Sequence, residues 1–361
     1  MKISIMGNYP PPIGGISTHI KQLSQKLYEN NMLEYVYSYL KDEVPDAPSY
    51  VKCALLKNKM ILKYGIFSSL ICVVKQLIKD KSDIIHFHHA PIWESISFLV
   101  LMLCSRKKIV ITIHDQFQLL DNYPRILKSG FNLLQKFSKR IKWIAVNENI
   151  KKQLEDLNIF SEDIFVIPAY IGSPNNDTLP DEILSFLSGR SLKISFYAYS
   201  ISLNDHDLYG VAQVVKVSKL LKNIIPDFGL VMCLPNSDIM MHDLINEIKN
   251  EDLESNILIV TTPLSSMVPL FKQTDIYLRP TTTDGDSVSI REALDSNCLV
   301  IASDAVNRID SCVIYKLNDT SDLLKKILNV CQRRNRLYKI SIVNSQDSSF
   351  RSILDVYNSF N

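Results

Sequence analysis

Glycine is scarce in this chain, occurring 10 times in 361 residues, which is less than half of the usual share of about 7%. The sequence contains neither G-x-x-x-x-G-K-[ST] nor G-x-G-x-x-G. A phosphate-binding P-loop and an ordinary dinucleotide-binding fingerprint are therefore excluded. The short motifs of zinc proteases, α/β-hydrolases and protein kinases are missing as well.

Paired cysteines and long apolar runs are also missing. The 7 cysteines are odd in number and never form a C-x-x-C pair, so we expect neither a disulfide framework nor a zinc knuckle. The longest apolar runs, 64–74 and 96–104, fall short of the roughly 18–20 residues that a membrane-spanning helix needs. The first residues do not resemble a secretory signal. We expect a cytoplasmic protein.

The net charge of +2 is too small for a typical nucleic-acid-binding protein, so no nucleic-acid partner is expected. Basic residues nevertheless concentrate between Lys52 and Lys79, where lysines alternate with apolar residues and no acidic residue occurs. One interpretation is a helix that binds an anionic membrane surface, on the inner face of the cytoplasmic membrane. The other is a buried helix whose lysines extend to solvent.

Strand-like and helix-like apolar patterns alternate twice along the chain, which predicts parallel sheets covered by helices. The predicted strands are 2–6, 83–88, 108–113, 143–146, 164–167, 193–198, 229–234, 257–260 and 275–278. The predicted helices begin at Ser17 or Thr18 and otherwise cover 92–104, 211–221, 239–250, 266–273 and the last twenty residues.

This pattern divides the chain into two Rossmann-like domains. The first covers 1–170, a linker follows over 171–190, and the second covers 191–345. A C-terminal helix over 346–361 is expected to pack back toward the first domain. Open parallel sheets bind ligands at the carboxyl ends of their strands, so the cleft between the domains is the expected site.

Two loops of the first domain contain candidate site residues. Gly14 and Gly15 follow the first strand, and they indicate either a tight turn with positive φ or a close approach of backbone N–H groups to an anion. His114 ends the strand 108–113 and is either structural or part of a site. His86, His88 and His89 form a cluster, but no carboxylate lies at metal-ligand spacing beside them, so we expect no metal site.

The loop over 279–294 is the most informative segment. It carries two carboxylates, Asp284 and Glu292, eight positions apart. Asp284 and Gly285 are also compatible with an ordinary turn, and Glu292 with a capping box formed with Ser289. Neither alternative explains why hydroxyl-bearing and charged residues concentrate here, whereas an anion-binding nest at a helix N-terminus would.

Four segments in this order resemble a known family, and together they extend over nearly the whole chain. They are GNYPPPIGGISTHIKQLSQKL, IVITIHDQ, VIPAYI and TDGDSVSIREALDSNCLVIASD. The family is that of retaining glycosyltransferases of the bacterial capsule and O-antigen type, similar to glycosyltransferase family 4, with a modified E-x7-E motif. The resemblance implies the α/β fold called GT-B, which has two doubly wound Rossmann-like domains and an interdomain cleft.

The resemblance also implies residue roles. Glu292 would bind ribose hydroxyls, while Asp284 and His114, the catalytic candidates, would contact the donor sugar. Gly14 and Gly15 would let the first loop approach the diphosphate or the acceptor. The remaining substrate-binding candidates are Arg279, Thr283, Gly285, Asp286, Ser287, Val288 and Arg308.

The sequence departs from the family in two places. Asp284 stands where the family usually has Glu. The first loop of the second domain lacks the family's Arg and Lys, and it has Tyr209 before Gly210. Another cation must then neutralise the diphosphate: Arg279 is favoured, and Arg308 and Arg291 are alternatives.

The resemblance therefore implies transfer of a sugar from a nucleotide-diphosphate sugar, expected to be a UDP-sugar, to a glycan acceptor. A lipid-linked acceptor in surface polysaccharide biosynthesis is expected, with retention and without metal or another cofactor. Two alternatives remain: a UDP-sugar epimerase of the same fold, and a catalytically silent nucleotide-sugar-binding protein.

Overall fold

The computed structural model describes residues 1–10, 14–38, 47–53, 79–88, 107–114, 138–172, 178–199, 201, 207–236, 240–284, 286–333 and 346–360. The chain forms two compact units. The first unit consists of Met1–Gly172 together with Asn344–Asn361, and the second unit is Ser173–Val343.

Each unit is built on a parallel sheet. The seven strands of the first are β1 (Ile3–Met6), β2 (Leu33–Ser38), β3 (Val51–Cys53), β4 (Ile84–His88), β5 (Lys108–Ile113), β6 (Ile141–Ala145) and β7 (Ile164–Val166). The six strands of the second are β8 (Lys193–Tyr197), β9 (Gly229–Cys233), β10 (Ile257–Val260), β11 (Ile276–Arg279), β12 (Leu299–Ser303) and β13 (Val313–Tyr315).

The described α-helices alternate with these strands. They are α1 (Gly15–Glu29), α2 (Glu148–Asp156), α3 (Asp181–Leu187), α4 (Val211–Lys222), α5 (Met240–Asn250), α6 (Val268–Gln273), α7 (Val288–Asp295), α8 (Thr320–Arg333) and α9 (Gln346–Asn358). Among the described residues, no helix is both long enough and apolar enough to cross a membrane.

Strand order locates the ligand-binding edge of each sheet. The first sheet runs β3-β2-β1-β4-β5-β6-β7 and the second β10-β9-β8-β11-β12-β13. The order reverses between β1 and β4, which pair in parallel from Ile3 opposite Ile84, and between β8 and β11, which pair from Ile276 opposite Ile194. Ligands of doubly wound sheets bind at such reversals, beyond the carboxyl ends of the strands.

All nine predicted strands are confirmed, with shifts of one or two residues at their ends. The sequence analysis did not predict β2, β3, β12 and β13. β3 and β13 are three-residue strands that lie at sheet edges. The predicted helix over 92–104 lies outside the described residues.

Two segments differ from what the sequence analysis expected. Lys52 is not part of a basic helix, because it lies in β3, where its ammonium is 3.0 Å from the ring centroid of Tyr35. Most of the rest of the basic segment, 54–78, lies outside the described residues. The predicted linker over 171–190 contains α3, whose buried Ile183 and Leu187 join an apolar core of the second unit.

The helix α9 belongs to the core of the first unit. Ile353, Val356 and Tyr357 are at most 1% exposed and pack with residues of β1 and β4. The Tyr357 hydroxyl lies 2.7 Å from Nδ1 of His86. The first unit is thus completed by residues that follow the second unit in the sequence.

We expect Ile353→Ala to destabilise the first unit by about 2–5 kcal/mol, since it removes a buried branched side chain and leaves a cavity. The second unit, 173–343, contains neither of the two tryptophans of the chain, and Trp143 is buried in β6 of the first unit. Tryptophan fluorescence during urea unfolding therefore reports on this unit.

The matched control is Arg351→Ala, because Arg351 is exposed on the same helix and exposed substitutions usually change stability by less than about 0.5 kcal/mol. An Ile353→Ala midpoint equal to that of the control would contradict the placement of α9.

Candidate functional site

Gly14 and Gly15 lie at the start of α1, beyond the carboxyl end of β1. Gly14 is the N-cap, with φ −155° and ψ 174°, and the hydroxyl of Ser17 accepts a hydrogen bond of 2.9 Å from its backbone N–H. The predicted caps, Ser17 and Thr18, are therefore wrong, since α1 begins earlier. Neither glycine has a positive φ, so the tight-turn alternative is also wrong.

The backbone of Gly14 and Gly15 has open space beside it, and neither residue has an unusual backbone conformation. A Cβ atom on Gly15 would meet no heavy atom of the described residues within 4 Å, and one on Gly14 would meet only the Ser17 hydroxyl, at 4.0 Å. A group approaching this backbone therefore has room among the described residues. This agrees with the predicted role of Gly14 and Gly15 but does not test it.

Four histidines of the first unit lie next to each other at the same sheet edge. They are His19 on α1, His86 and His88 on β4, and His114 directly after β5, and each is at most 5% exposed. The ring centroids of His88 and His114 are 5.3 Å apart, and His19 lies 5.0 Å from both. His114, predicted to contact the sugar, is thus one member of a buried cluster.

Burial keeps most of this cluster neutral. Desolvation lowers the pKa of His19 to about 4, although the carbonyl of Ala169 favours its protonated form. Desolvation, together with the neighbouring imidazoles, holds the pKa values of His86 and His88 well below the ordinary value. These three rings are therefore uncharged at neutral pH.

The second unit gathers charged side chains beyond the end of β11. Arg279, its last residue, donates two hydrogen bonds to Asp284, from Nε to Oδ2 at 2.9 Å and from Nη2 to Oδ1 at 3.2 Å. Arg308 donates a third, from Nη1 to Oδ2 at 2.8 Å. One carboxylate therefore lies between two guanidinium groups, and the three side chains together have a net charge of +1.

Neighbouring hydroxyls fix this cluster. Nη2 of Arg308 donates to Thr281 Oγ1 at 2.8 Å, and the Ser303 hydroxyl donates to the Thr281 carbonyl at 2.6 Å. Burial alone would raise the pKa of Asp284, but Arg279 and then Arg308 outweigh it and hold that pKa below its ordinary value. Burial likewise opposes the charge of Arg279, but Asp284 raises its pKa above the ordinary value. Asp284 and Arg279 therefore both stay ionised at neutral pH.

The start of α7 carries the other predicted residues. Its N-cap is Ser287, which makes no side-chain capping bond, and Ser289 instead bonds to the Tyr277 hydroxyl at 2.9 Å. The alternative in which Ser289 and Glu292 form a capping box is therefore wrong. Glu292 is 5% exposed, in the second turn of the helix.

The remaining candidates lie in the same loop. Asp286 forms an ion pair with Arg291, whose Nε is 2.9 Å from both carboxylate oxygens; Arg291 is thus tied to the loop. Val288 is buried and Thr283 is half-buried. Gly285 lies outside the described residues.

The loop before α4 contacts this cluster. The sequence analysis did not predict the hydrogen bonds of Asp207 in this loop. Oδ1 of Asp207 accepts a hydrogen bond from the N–H of Val211 and Oδ2 accepts one from that of Ala212, both at 2.9 Å. A carboxylate thus occupies the N-terminus of α4, in the loop where the resemblance implied basic residues. Asp207, four positions before the helix, was the available signal in the sequence.

Gly210 fits this loop against β11. Its φ of +76° is strained for other residues, and an added Cβ would lie 2.6 Å from the carbonyl oxygen of Pro280. The N–H of Thr282 donates to the Leu208 carbonyl at 3.0 Å, and the ring centroid of Tyr209 is 5.8 Å from the guanidinium carbon of Arg279. The loops after β8 and β11 therefore form one surface.

The first part of the chain matches the model of a known protein family. Residues 13–171 match Glycosyltransferase Family 4. The match supports the predicted similarity to glycosyltransferase family 4 over that segment, which contains Gly14, Gly15 and the histidine cluster. No curated protein sequence matches the chain.

Solved glycosyltransferase structures resemble the whole chain. A glycosyltransferase from Rickettsia africae is 17% identical, with a TM-score of 0.66, over 100% of this chain and 94% of the other. HepE from Anabaena, solved with UDP and glucose, is 12% identical, with a TM-score of 0.68, over 99% and 100%. The lipopolysaccharide outer core galactosyltransferase WaaB is 13% identical, with a TM-score of 0.65, over 99% of both. The predicted α/β fold of the GT-B class, with two Rossmann-like units, is confirmed.

The charge cluster yields a stability prediction. Asp284→Ala leaves two buried guanidinium groups without their shared carboxylate, and loss of one member of a buried ion pair costs about 3–5 kcal/mol. Hydrogen exchange of peptides from β11 and β12 should accelerate accordingly.

Asp252→Asn serves as the control, because Asp252 pairs with Lys222 in the same unit but its side chain is 93% exposed, and Asn tolerates the φ of 55° at this position. That variant should exchange like the wild type. If the two variants behave alike, Asp284 does not hold the cluster together.

Proposed function

We propose that the protein is a retaining glycosyltransferase that moves a sugar from a nucleotide-diphosphate sugar, a UDP-sugar, to a lipid-linked glycan in surface polysaccharide biosynthesis. The observation that carries the proposal is the match of residues 13–171 to Glycosyltransferase Family 4. The UDP and glucose bound to the structurally similar HepE support the choice of donor, and the galactosyltransferase WaaB supports an acceptor in a surface glycan.

The charge cluster of the second unit suits the leaving group. When the bond from the anomeric carbon to the phosphate breaks, negative charge grows on the diphosphate, and preorganised donors stabilise it. Arg279 and Arg308 share one carboxylate and so offer a net positive charge. Backbone N–H groups at the start of α7 add a favourable dipole.

The other residues take the roles that the resemblance implied. Glu292 accepts hydrogen bonds from the ribose, while Asp284 and His114 orient the sugar hydroxyls. The acceptor hydroxyl attacks the anomeric carbon from the face that the phosphate leaves, and a leaving-phosphate oxygen takes its proton. In this proposal the arginines and backbone donors take the place of a metal ion.

A second candidate is a catalytically silent nucleotide-sugar-binding protein. One observation favours it: Asp207 caps α4, so this loop presents a carboxylate rather than a cation to an approaching diphosphate. This candidate predicts donor binding without turnover.

Turnover of nucleotide sugars tests the proposal. The full chain is incubated with UDP-, GDP-, dTDP- and ADP-sugars, with and without a lipid-linked glycan, and release of nucleoside diphosphate is followed. We expect release from a UDP-sugar that depends on acceptor, is unchanged by added Mg²⁺ or Mn²⁺, and gives a product with retained anomeric configuration by NMR.

Binding without release from any donor would favour the silent protein, and conversion of the donor sugar without acceptor would favour an epimerase. A requirement for added Mg²⁺ or Mn²⁺ would contradict metal-independent chemistry at the diphosphate. Asp252→Asn, which alters an exposed ion pair, should turn over like the wild type.

The ribose contact can be tested separately. We expect Glu292→Gln to weaken UDP and UDP-sugar equally, about tenfold to a hundredfold, because hydrogen bonds to a charged group contribute about 1.5–3 kcal/mol. Isothermal titration calorimetry measures both affinities. Glu254→Gln, at an exposed position of the same unit, should leave both unchanged, and a loss confined to the intact donor would move Glu292 from the ribose to the sugar.

The membrane interaction rests on the sequence of the basic segment. Each lysine near an anionic surface contributes about 1 kcal/mol of attraction. We expect the protein to co-sediment with phosphatidylserine-containing vesicles, and replacement of Lys57, Lys59 and Lys63 by Gln to weaken this binding.

A control with the same change of charge replaces three exposed lysines of the second unit, namely Lys216, Lys249 and Lys272. This control should bind vesicles like the wild type. If neither protein binds vesicles at low salt, the basic segment is a buried helix with solvated lysines.

A further inference from the structure

Three of the clustered imidazoles form an arrangement that neither the family match nor the proposed transfer reaction requires. His19, His88 and His114 come from α1, β4 and the end of β5. One ring nitrogen of each lies within 4.8 Å of those of the other two. They meet at the carboxyl edge of the first sheet, beside its strand-order reversal.

The hydrogen bonding of His19 leaves one of its nitrogens available. Nδ1 bonds to the carbonyl oxygen of Ala169, and because a carbonyl oxygen only accepts, Nδ1 carries the proton. Nε2 therefore has a lone pair, and it has no hydrogen-bond partner among the described residues. A histidine that ligates a metal characteristically donates its other N–H to a backbone carbonyl in this way.

The distance between ring nitrogens of His88 and His114 is also close to that of two ligands of one metal ion. Nδ1 of His88 lies 3.0 Å from Nε2 of His114. Two nitrogens bound at about 2.0–2.1 Å to a tetrahedral zinc ion lie roughly 3.3 Å apart. The two rings would need to move only slightly to share one ion.

His86 differs from these three residues although it is equally buried. Its Nδ1 bonds to the Tyr357 hydroxyl and its Nε2 to Thr112 Oγ1, both at 2.7 Å. Both nitrogens of His86 are thus used within the first unit, so the ligand set consists of the other three histidines.

We propose that His19, His88 and His114 bind one zinc-class divalent cation, with a fourth coordination position left for water or an external ligand. Imidazole nitrogens suit Zn²⁺ and its transition-metal neighbours. The group includes no carboxylate among the described residues, so it does not suit Ca²⁺ or Mg²⁺. The proposal departs from the expectation of no metal site, which considered spacing along one strand and not ligands from α1 and the end of β5.

Metal binding can be measured without any enzymatic assay. The full chain is stripped with a chelator and titrated with Zn²⁺ in competition with a chromophoric chelator. We expect one high-affinity ion per chain and, with Co²⁺, the intense visible absorption of a tetrahedral site. If the protein does not take up one Zn²⁺ per chain in competition with the chelator, the proposal is overturned.

Variants identify the ligands. We expect His19→Gln, His88→Gln and His114→Gln each to weaken Zn²⁺ binding by at least tenfold to a hundredfold. Even the removal of a residue that only hydrogen-bonds to a metal ligand causes a loss of this size. The matched control is His86→Gln, in the same cluster, which should still bind one ion. Circular dichroism and thermal unfolding verify that each variant is folded.

Zinc-edge X-ray absorption provides a measurement that does not depend on variants. Three nitrogen ligands with imidazole scattering are expected. Sulfur ligands would assign the bound ion to cysteines and overturn the proposal, as would undiminished binding in all three ligand variants.

Discussion

Parallel strand pairing is the constraint from which the positions of the candidate residues follow. Every pair of described strands in the two sheets is parallel, so the carboxyl ends of each sheet lie along one edge. β4 and β11 hold equivalent positions, next to the first strand of their sheets. They end in His88 and Arg279, and each of these residues is part of a polar cluster. The two clusters therefore lie where the strand order reverses.

The sequence was most informative where burial on both faces imposes a continuous apolar run. β9, for example, is buried at all five positions, and its limits were predicted within one residue. β13 is different, because it is a short edge strand with a half-buried, an exposed and a buried residue. Such a segment has neither a continuous apolar run nor a strict alternation, and only its pairing with β12 makes it a strand.

The two polar clusters show a similar difference between local contacts, which the sequence revealed, and long-range contacts, which it did not. Arg279 and Asp284 were recognised together because they lie five positions apart in the loop that carries the motif. Arg308 bonds to Asp284 across 24 positions and entered the analysis only as an alternative cation. His19 had no local signal, since its bond to Ala169 spans 150 positions. Contacts made by the tertiary fold, rather than by a local segment, were the ones that the sequence did not reveal.

The return of α9 to the first unit affects how the protein is made. A nascent chain usually completes its N-terminal domain first. Here Phe350, Ile353 and Val356 fill part of the first unit's core, and they are synthesised after the entire second unit. While the ribosome is still translating the second unit, the first has an apolar face that α9 has yet to cover. The second unit is then the first to finish folding, and the period of exposure is set by the time needed to translate the roughly 170 residues between Gly172 and Asn344, about 10–35 s at 5–20 residues per second.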